Sequence, residues 1–432
     1  MKLNKTMLFG WVLSCVFSTG INAQSTPKAF KGATIITVTG QSHQNGVLVV
    51  ENGVIVEVGD ANTRIPPGAQ ITDITGKVIM PGLVDPHSHI GEGDGGDRSS
   101  AMHPDTRILD AIDPRSDTFK RALAGGITTV NVMPGSGHLM SGQTVYLKLR
   151  EANVIEDMLL VDEETGIYGG LKMANGTNPL GSGPFPQTRA KSAALVRAKY
   201  IKAQEYKAKL EKAGSDESKK PARDLGMETL VEVLEGKRIV QNHTHRHDDI
   251  LTAIRLSKEF GYKLVLHHVS EAWKVADEIA EAGVPASIIV IDSPGGKLEA
   301  VELKNTNGAM LEQAGAVVGY HTDDGITDSR LFLRSAGIGI RDGLTRETAL
   351  KSLTINNALM LGKEDRIGSL EKGKDADFII LSGDPFSVYT KVEQTWVEGL
   401  KRWDRSNPED RDYAVGGYEI YRGHILDHHI EE

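Results

Sequence analysis

Several apolar runs in the middle of the chain end in histidine or aspartate. Residues 78–84 are followed by Asp85-Pro86-His87-Ser88-His89, and residues 263–266 by His267-His268. These runs alternate with segments of helical periodicity, such as residues 248–260, after which Gly261 provides a stop signal. This alternation is typical of parallel βα units, whose strands end on one shared face. The sequence therefore predicts an α/β fold that gathers polar side chains on that face.

The predicted strands of this region are apolar and rich in β-branched residues. They are residues 78–84, 127–132, 167–173, 238–241, 263–266, 286–291 and 316–320, with a further one near 144–149. The predicted helices are residues 248–260 and 271–282 and a long solvated helix over 190–213, with a loop over 214–220. Seven or eight βα units in roughly 280 residues match the usual size of a (β/α)₈ TIM barrel.

Both ends of the chain have a different pattern, of short β segments. Residues 33–38, 46–50 and 54–58 are apolar and β-branched, and Asn52-Gly53 is a hairpin signal between the last two. Similar segments return over residues 377–381 and 392–397.

The first residues predict export. Lys2 and Lys5 precede an apolar run over residues 7–17 that is too short to span a membrane, and Ala23 offers a cleavage point. We therefore expect a signal peptide over 1–23 and a periplasmic or extracellular protein. An uncleaved anchor and a lipoprotein modified at Cys15, the single cysteine, are the alternatives. Cleavage would leave a chain without thiolate ligands.

The overall charge narrows the class of partner. The 432 residues contain 58 Asp and Glu against 49 Lys and Arg, a net charge of −9. An acidic chain without a basic run is a poor candidate for nucleic-acid binding. We expect a small-molecule or short-peptide substrate and no membrane span, and a homo-oligomer is compatible with the sequence.

The histidines predict a metal site. Side chains alternate along a strand, so His87 and His89 point the same way and could hold one ion at a barrel mouth. Two unrelated polar residues in a turn are the alternative for this short motif. Histidine or aspartate recurs after three later strands, at His243-Thr244-His245-Arg246-His247, at His267-His268 and at Asp323. The residues alone do not choose between His267 and His268, or among the histidines of the first group.

The motifs as an ordered set resemble the amidohydrolase superfamily. The resemblance rests on Pro81-Gly82-Leu83-Val84-Asp85-Pro86-His87-Ser88-His89, on the later histidines, on Thr322-Asp323 and on residues 350–356 and 368–377. It is strongest to the branch of imidazolonepropionase and Xaa-Pro or Xaa-Arg dipeptidases. It implies a metal-dependent (β/α)₈ TIM barrel over 81–363 and a small β-sandwich domain formed from both chain ends, over 24–80 and 364–405. Residues 406–432 would then be a C-terminal tail.

The resemblance also implies roles for single residues. The implied metal ligands are His87, His89, Lys172, His243, His268 and Asp323. A carboxylated Lys172 would bridge two metal ions. If Lys172 is instead an ordinary lysine paired with a carboxylate, the site would hold one metal ion. Zn²⁺ is the expected ion. Asp323 is the implied general base and acid, and a helix cap is its alternative role.

The implied activity is hydrolysis of a carbon–nitrogen bond, amide or peptide-like, in a small substrate. A secreted dipeptidase or N-acyl amino-acid hydrolase fits this description. The loop over 136–143 offers His138 and Gln143 as substrate-binding residues, while Arg330 and Arg334 could hold a carboxylate or lie on the surface. The alternative function is a non-catalytic barrel that acts in binding or assembly; the full ligand set favours the enzyme.

Overall fold

The computed structural model describes residues 26–93, 95–289 and 297–416. The expected signal peptide, Cys15 and residues 417–432 of the expected tail lie outside the described residues. No helix in the described ranges combines the length and the apolar character needed to cross a membrane.

Strands occur throughout the described chain. They are β1 (Lys28–Ile35), β2 (His43–Glu51), β3 (Val54–Gly59), β4 (Gln70–Asp73), β5 (Val78–Pro81), β6 (Leu83–Ser88), β7 (Ile127–Val132), β8 (Met140–Gln143), β9 (Val145–Lys148), β10 (Leu171–Ala174), β11 (Val240–Thr244), β12 (Leu264–His268), β13 (Ala286–Ile288), β14 (Val318–Tyr320), β15 (Phe378–Leu381), β16 (Val392–Val397) and β17 (Leu400–Asp404).

Helices connect most of the later strands. They are α1 (Asp117–Ala124), α2 (Arg189–Ala213), α3 (Leu225–Leu234), α4 (His247–Phe260), α5 (Ala276–Glu281), α6 (Asn307–Ala314), α7 (Phe332–Arg341), α8 (Arg346–Lys351), α9 (Ile355–Met360) and α10 (Pro408–Val415). The expected stop of α4 is present, because Gly261 has a φ of 73° and its N–H donates to the Ser257 carbonyl.

The two chain ends share one mixed sheet, which we call the terminal sheet. Its strand order is β17-β16-β15-β5-β1-β2-β3, with β4 paired to β1. Phe30 on β1 and Phe378 on β15 pack edge to face, with ring centroids 5.0 Å apart. Strands from both ends therefore do build one unit, and its division into a two-layered sandwich stays a prediction.

The middle of the chain has a TIM-barrel-like α/β architecture. Strands β10 to β14 are neighbours and parallel, with β8 antiparallel on β10, and β6, β7 and β9 form a second sheet. Backbone hydrogen bonds from Asp323 to His87 (3.0 Å) and from His89 to Asp324 (3.2 Å) join the segment after β14 to β6. The described strands of this middle region form two sheets rather than one continuous eight-stranded ring, so full barrel closure stays a prediction.

Some predicted elements were wrong in detail. The strand predicted over 78–84 is two strands, β5 in the terminal sheet and β6 in the barrel, separated by Gly82. A Cβ on Gly82 would lie 2.2 Å from Thr128 Oγ1, so the backbone can lie this close to Thr128 only without a side chain at residue 82. The helix predicted over 271–282 is a 3₁₀ turn, Ala272–Lys274, followed by α5.

Two further expectations for the insertion between strands were also inaccurate. Helix α2 is not fully solvated, because Val196, Tyr200 and Ala203 bury one of its faces. The loop predicted over 214–220 contains a 3₁₀ turn, Glu217–Lys219.

A buried ion cluster fastens the terminal sheet to the barrel. Lys148 on β9 is 0% exposed, and its ammonium contacts the carboxylates of Asp375 (2.7 Å) and Asp377, which lie just before β15. Both acids are largely buried, and Lys148 is the buried cation that contacts both; Arg366, which is partly exposed, also pairs with Asp375 at 3.0 Å.

We expect Lys148→Met to destabilise the protein strongly, because it leaves two carboxylates without their buried cation. Breaking such a cluster costs about 3–5 kcal/mol of unfolding free energy. Denaturant unfolding measures it, with Lys31→Met as the control because Lys31 forms only an exposed pair with Asp73 at 3.7 Å. The control should lose at most about 1 kcal/mol, and equal losses in both variants would contradict this role of Lys148.

Candidate metal centre

Two histidines at the end of β6 begin the site. Asp85 fixes the local backbone, since its Oδ1 accepts hydrogen bonds from the backbone N–H groups of His87 (3.3 Å) and Thr322 (3.2 Å). His87 and His89 then point the same way, with their Nε2 atoms 3.3 Å apart. The strand alternation inferred from the sequence is therefore present in the structure.

Asp323 reaches the same point from the segment after β14. Its Oδ1 lies 3.3 Å from His87 Nε2 and 3.0 Å from His89 Nε2. The residue has a positive φ of 48°, and its N–H donates to the His87 carbonyl, which holds the two strand ends together. Its side chain faces the two histidines. Asp323 therefore lies where a metal ligand would lie, and not where the alternative role of a helix cap would place it.

This donor set fits a metal ion. His89 Nδ1 is 2.8 Å from the Met133 carbonyl oxygen, which can only accept, so Nδ1 carries a proton. In neutral His89 the Nε2 lone pair then faces the Asp323 carboxylate, and two acceptors at 3.0 Å repel each other unless a cation lies between them. A backbone carbonyl behind a metal-ligating histidine is the usual supporting contact. His87, His89 and Asp323 could therefore hold a divalent ion, and we call them the first site.

Lys172 lies beside the first site. It is on β10, fully buried, with Nζ 3.1 Å from His87 Nε2 and 3.1 Å from Met133 Sδ. This is the position that the resemblance implies for a bridging group.

His268 also approaches the first site. Its Nδ1 is 3.8 Å from Asp323 Oδ2, and its ring centroid is 4.4 Å from that of His243. His267 faces inward as well, 4.8 Å from the His87 ring, but its Nε2 donates to Gln241 Oε1 at 2.7 Å. Neighbouring side chains can both face inward because His268 leaves the extended conformation, with a φ of 71°.

One buried histidine was missed by the sequence reasoning. His321 stacks on His87 with centroids 4.8 Å apart, and its Nε2 is 3.2 Å from His268 Nδ1. Ser287 Oγ forms a hydrogen bond with the other ring nitrogen of His321, Nδ1, at 2.8 Å. Its position directly after β14, two residues before Asp323, was the available signal.

Burial keeps these imidazoles neutral. Desolvation lowers the pKa values of His87, His243 and His268 well below the ordinary value, and it lowers that of His321 to about 3. Neutral imidazole is the form that binds metal ions.

A cavity of about 990 Å³ comes near the site, although His87, His89 and Asp323 are not among the residues that line it. Its wall includes Pro134, which follows the Met133 that supports His89, and it also includes His138. Gln143 is not in the wall; its amide donates to Thr229 Oγ1 at 2.9 Å. Arg330 is not there either, since its guanidinium pairs with Asp328 at 2.7 Å.

We expect His87→Ala to lose about one equivalent of bound divalent ion, because His87 touches every other member of the first site. Elemental analysis of purified protein measures it. The control is His247→Ala, which changes a half-exposed histidine that pairs with Glu271. Unchanged metal content in His87→Ala would show that the ion is held elsewhere.

The chain is similar to known proteins along most of its length. The amidohydrolase family profile matches residues 306–400. Amidohydrolase tasK of Hapsidospora irregularis is 27% identical over 83% of this chain, which spans only 40% of that protein. Imidazolonepropionase of Fusobacterium nucleatum is 24% identical over 80% of this chain and 87% of its own length.

A solved structure extends the similarity to three dimensions. The amidohydrolase from Thermotoga maritima is 34% identical, covers 87% of this chain and 100% of its own, and superposes with a TM-score of 0.80. The motifs, the converging ligands and this relative agree. The chain therefore belongs to the amidohydrolase superfamily, and it is a metal-dependent hydrolase of carbon–nitrogen bonds.

Proposed function

We propose that the substrate is a small, carboxylate-bearing amide, such as a dipeptide or an N-acyl amino acid, and that Asp323 is the general base. The observation that carries the reaction is the convergence of His87, His89 and Asp323 within 3.0–3.3 Å. Two imidazoles and a carboxylate suit zinc, which we propose as the ion. The non-catalytic alternative is set aside because the family is one of hydrolases.

The two carboxylate oxygens of Asp323 have different roles in the proposed reaction. A divalent ion held by His87, His89 and Asp323 would supply Lewis acidity, which would activate water and polarise a carbonyl. Oδ1 faces the two Nε2 atoms, whereas Oδ2 lies 3.8 Å from His268 Nδ1. Oδ2 is therefore the atom that can accept a proton from the attacking water and return it to the leaving nitrogen.

The cavity supports a substrate with a negative charge. Arg98, Arg107 and Lys297 line it, against the single described acid Asp97. Arg107 is paired with Asp110 at 2.7 Å. Arg98 makes no ion pair with a described carboxylate and is exposed to the cavity, so it is the guanidinium best placed to pair with a substrate carboxylate.

Export is also part of the proposal. The basic residues Lys2 and Lys5, the short apolar run and Ala23 support a cleaved signal peptide. Mass spectrometry of the protein from its native host should find Gln24 at the N-terminus. Intact Met1, or a lipid on Cys15, would contradict cleavage after Ala23.

We expect Asp323→Asn to lower kcat by roughly 10²–10⁴-fold, because an amide of nearly the same shape cannot accept the proton. Circular dichroism should be unchanged, and part of the metal should remain, since the histidines are intact. Turnover on a panel of dipeptides and N-acyl amino acids measures the effect. Near-normal turnover would assign proton transfer to another group.

We expect Arg98→Met to raise KM about 10-fold or more for substrates with a free carboxylate, since hydrogen bonds to charged groups contribute about 1.5–3 kcal/mol. The kcat should change little, because the contact exists in both ground and transition state. Carboxamide analogues of these substrates are the control, and their KM should be the same for Arg98→Met and for the native protein. An equal loss for acid and amide substrates would contradict this contact.

A further inference from the structure

A buried arginine contacts the segment that carries Asp323. Arg121 lies on α1 and is only 7% exposed, and its Nη2 donates to Oδ1 of Asp324 at 2.7 Å. Asp324 is 4% exposed and directly follows Asp323 in the chain. A carboxylate so deeply buried needs a compensating positive charge, and Arg121 supplies one. Neither Arg121 nor Asp324 has a part in the reaction proposed above.

The other polar atoms of Asp324 are held as well. Its Oδ2 accepts hydrogen bonds from the backbone N–H (2.9 Å) and the hydroxyl (2.5 Å) of Ser329. Its own N–H donates to Thr322 Oγ1 at 3.1 Å, and its carbonyl accepts from the N–H of His89 at 3.2 Å. Asp324 is therefore fixed relative to α1 on one side and to the end of β6 on the other.

Asp323 depends on its two neighbours for its conformation. Its φ of 48° is unfavourable for a residue with a side chain, so the surrounding contacts must stabilise it. Before it, Thr322 donates its hydroxyl to Asp85 Oδ2 at 2.5 Å and its N–H to Asp85 Oδ1 at 3.2 Å. After it, Asp324 is held by Arg121. The contacts of Thr322 and Asp324 thus determine where the Asp323 carboxylate lies.

Helix α1 also packs directly against the same segment. A Cβ on Gly125, at the end of α1, would lie 2.2 Å from the carbonyl oxygen of Ser329 and 2.9 Å from Arg330 Cα. The backbone after β14 therefore contacts the end of α1 without an intervening side chain. Arg121, one turn earlier on α1, adds a buried ion pair to this close backbone contact.

We propose that Arg121 is a positioning residue, which fixes the Asp323 carboxylate at the first site through its ion pair with Asp324. The inference rests on the proposed function, in which Asp323 is the general base. A misplacement of a reacting group by 1 Å can lower a rate by about 10²-fold. Asp323 would also be a ligand of the ion, so the same displacement should weaken metal binding as well as turnover.

A purely structural ion pair is the alternative role, and Arg238 offers a matched control. Arg238 is 5% exposed, and its Nε contacts Glu232 at 2.5 Å. It lies just before β11, at the amino end of that strand, whereas the first site lies at the carboxyl ends of the strands. Arg121→Met and Arg238→Met should both destabilise the protein, but only Arg121→Met should affect the first site.

Zn²⁺ affinity and turnover test the proposal together. Zn²⁺ binding is measured by competition with a chromogenic chelator. Turnover is measured at saturating Zn²⁺ with the dipeptide or N-acyl amino acid that the native protein hydrolyses best. Arg121→Met should bind Zn²⁺ about 10-fold more weakly and lower kcat about 10–100-fold, the usual range for residues that support a metal ligand. KM should change little, because Arg121 is not among the residues that line the cavity. Arg121→Lys, which keeps the charge, should recover most of both losses.

Native Zn²⁺ affinity or native kcat in folded Arg121→Met would overturn the proposal, as would equal losses in Arg238→Met. Should Arg121→Met fail to fold by circular dichroism, the double variant Arg121→Met with Asp324→Asn removes both charges of the pair. It should fold and still show weaker Zn²⁺ binding and a lower kcat, and native values there would overturn the proposal. Zn²⁺ affinity alone decides if no substrate of the panel is hydrolysed.

Asp323→Asn separates this inference from the proposed function. Near-normal turnover of Asp323→Asn would contradict the proposed general base. A large loss in Asp323→Asn, together with native Zn²⁺ affinity and kcat in Arg121→Met, would contradict only the positioning role of Arg121.

Discussion

The arrangement of the site depends on one constraint, that β10 to β14 run parallel, as do β6 and β7, and that the carboxyl ends of these strands lie on the same face. Strand β6 delivers two imidazoles there, and the segment after β14 delivers a carboxylate at 3.0–3.3 Å from them. Three electron-rich atoms so close are costly without a cation. The surrounding fold holds them in place through the backbone hydrogen bond from Asp323 to His87 and the hydrogen bond from the His89 side chain to the Met133 carbonyl.

The terminal sheet supports that face from behind. Strands β5 and β6 are separated only by Gly82, whose N–H donates to the Asp377 carbonyl at 3.0 Å. The same Asp377 side chain contacts Lys148 of β9. The histidines therefore lie on β6, which begins at the junction between the terminal sheet and the barrel region. A structural change at this junction would occur only a few residues away from the first site.

The sequence predicts the parts of this structure that follow local rules. Alternation along one strand places His87 and His89 on one face, and a helix stop at Gly261 needs only the residue that adopts a positive φ. The rules fail where tertiary structure overrides them. His267 and His268 both face inward because the backbone of His268 is left-handed, and the run over 78–84 gives no sign that its two halves belong to different sheets.

Glu299 could not be predicted for another reason. It is a single acid after a long connection, without a motif, and only the fold brings its carboxylate within 4.8 Å of nitrogens of His243 and His245. Gln143 shows the reverse, since a polar residue in a promising loop is satisfied by Thr229 on a neighbouring helix. Spacing identifies ligands on one strand, whereas ligands from distant segments need the fold.

The central claim is that the first site is built for a metal ion. X-ray diffraction from crystals grown with Zn²⁺, measured on both sides of the zinc absorption edge, tests it most directly. We predict an anomalous peak at about 2.0–2.2 Å from His87 Nε2, His89 Nε2 and an Asp323 oxygen, the usual zinc–ligand distances. An ordered His87–His89–Asp323 cluster with no peak there, at a Zn²⁺ concentration that loads the protein in solution, would contradict it.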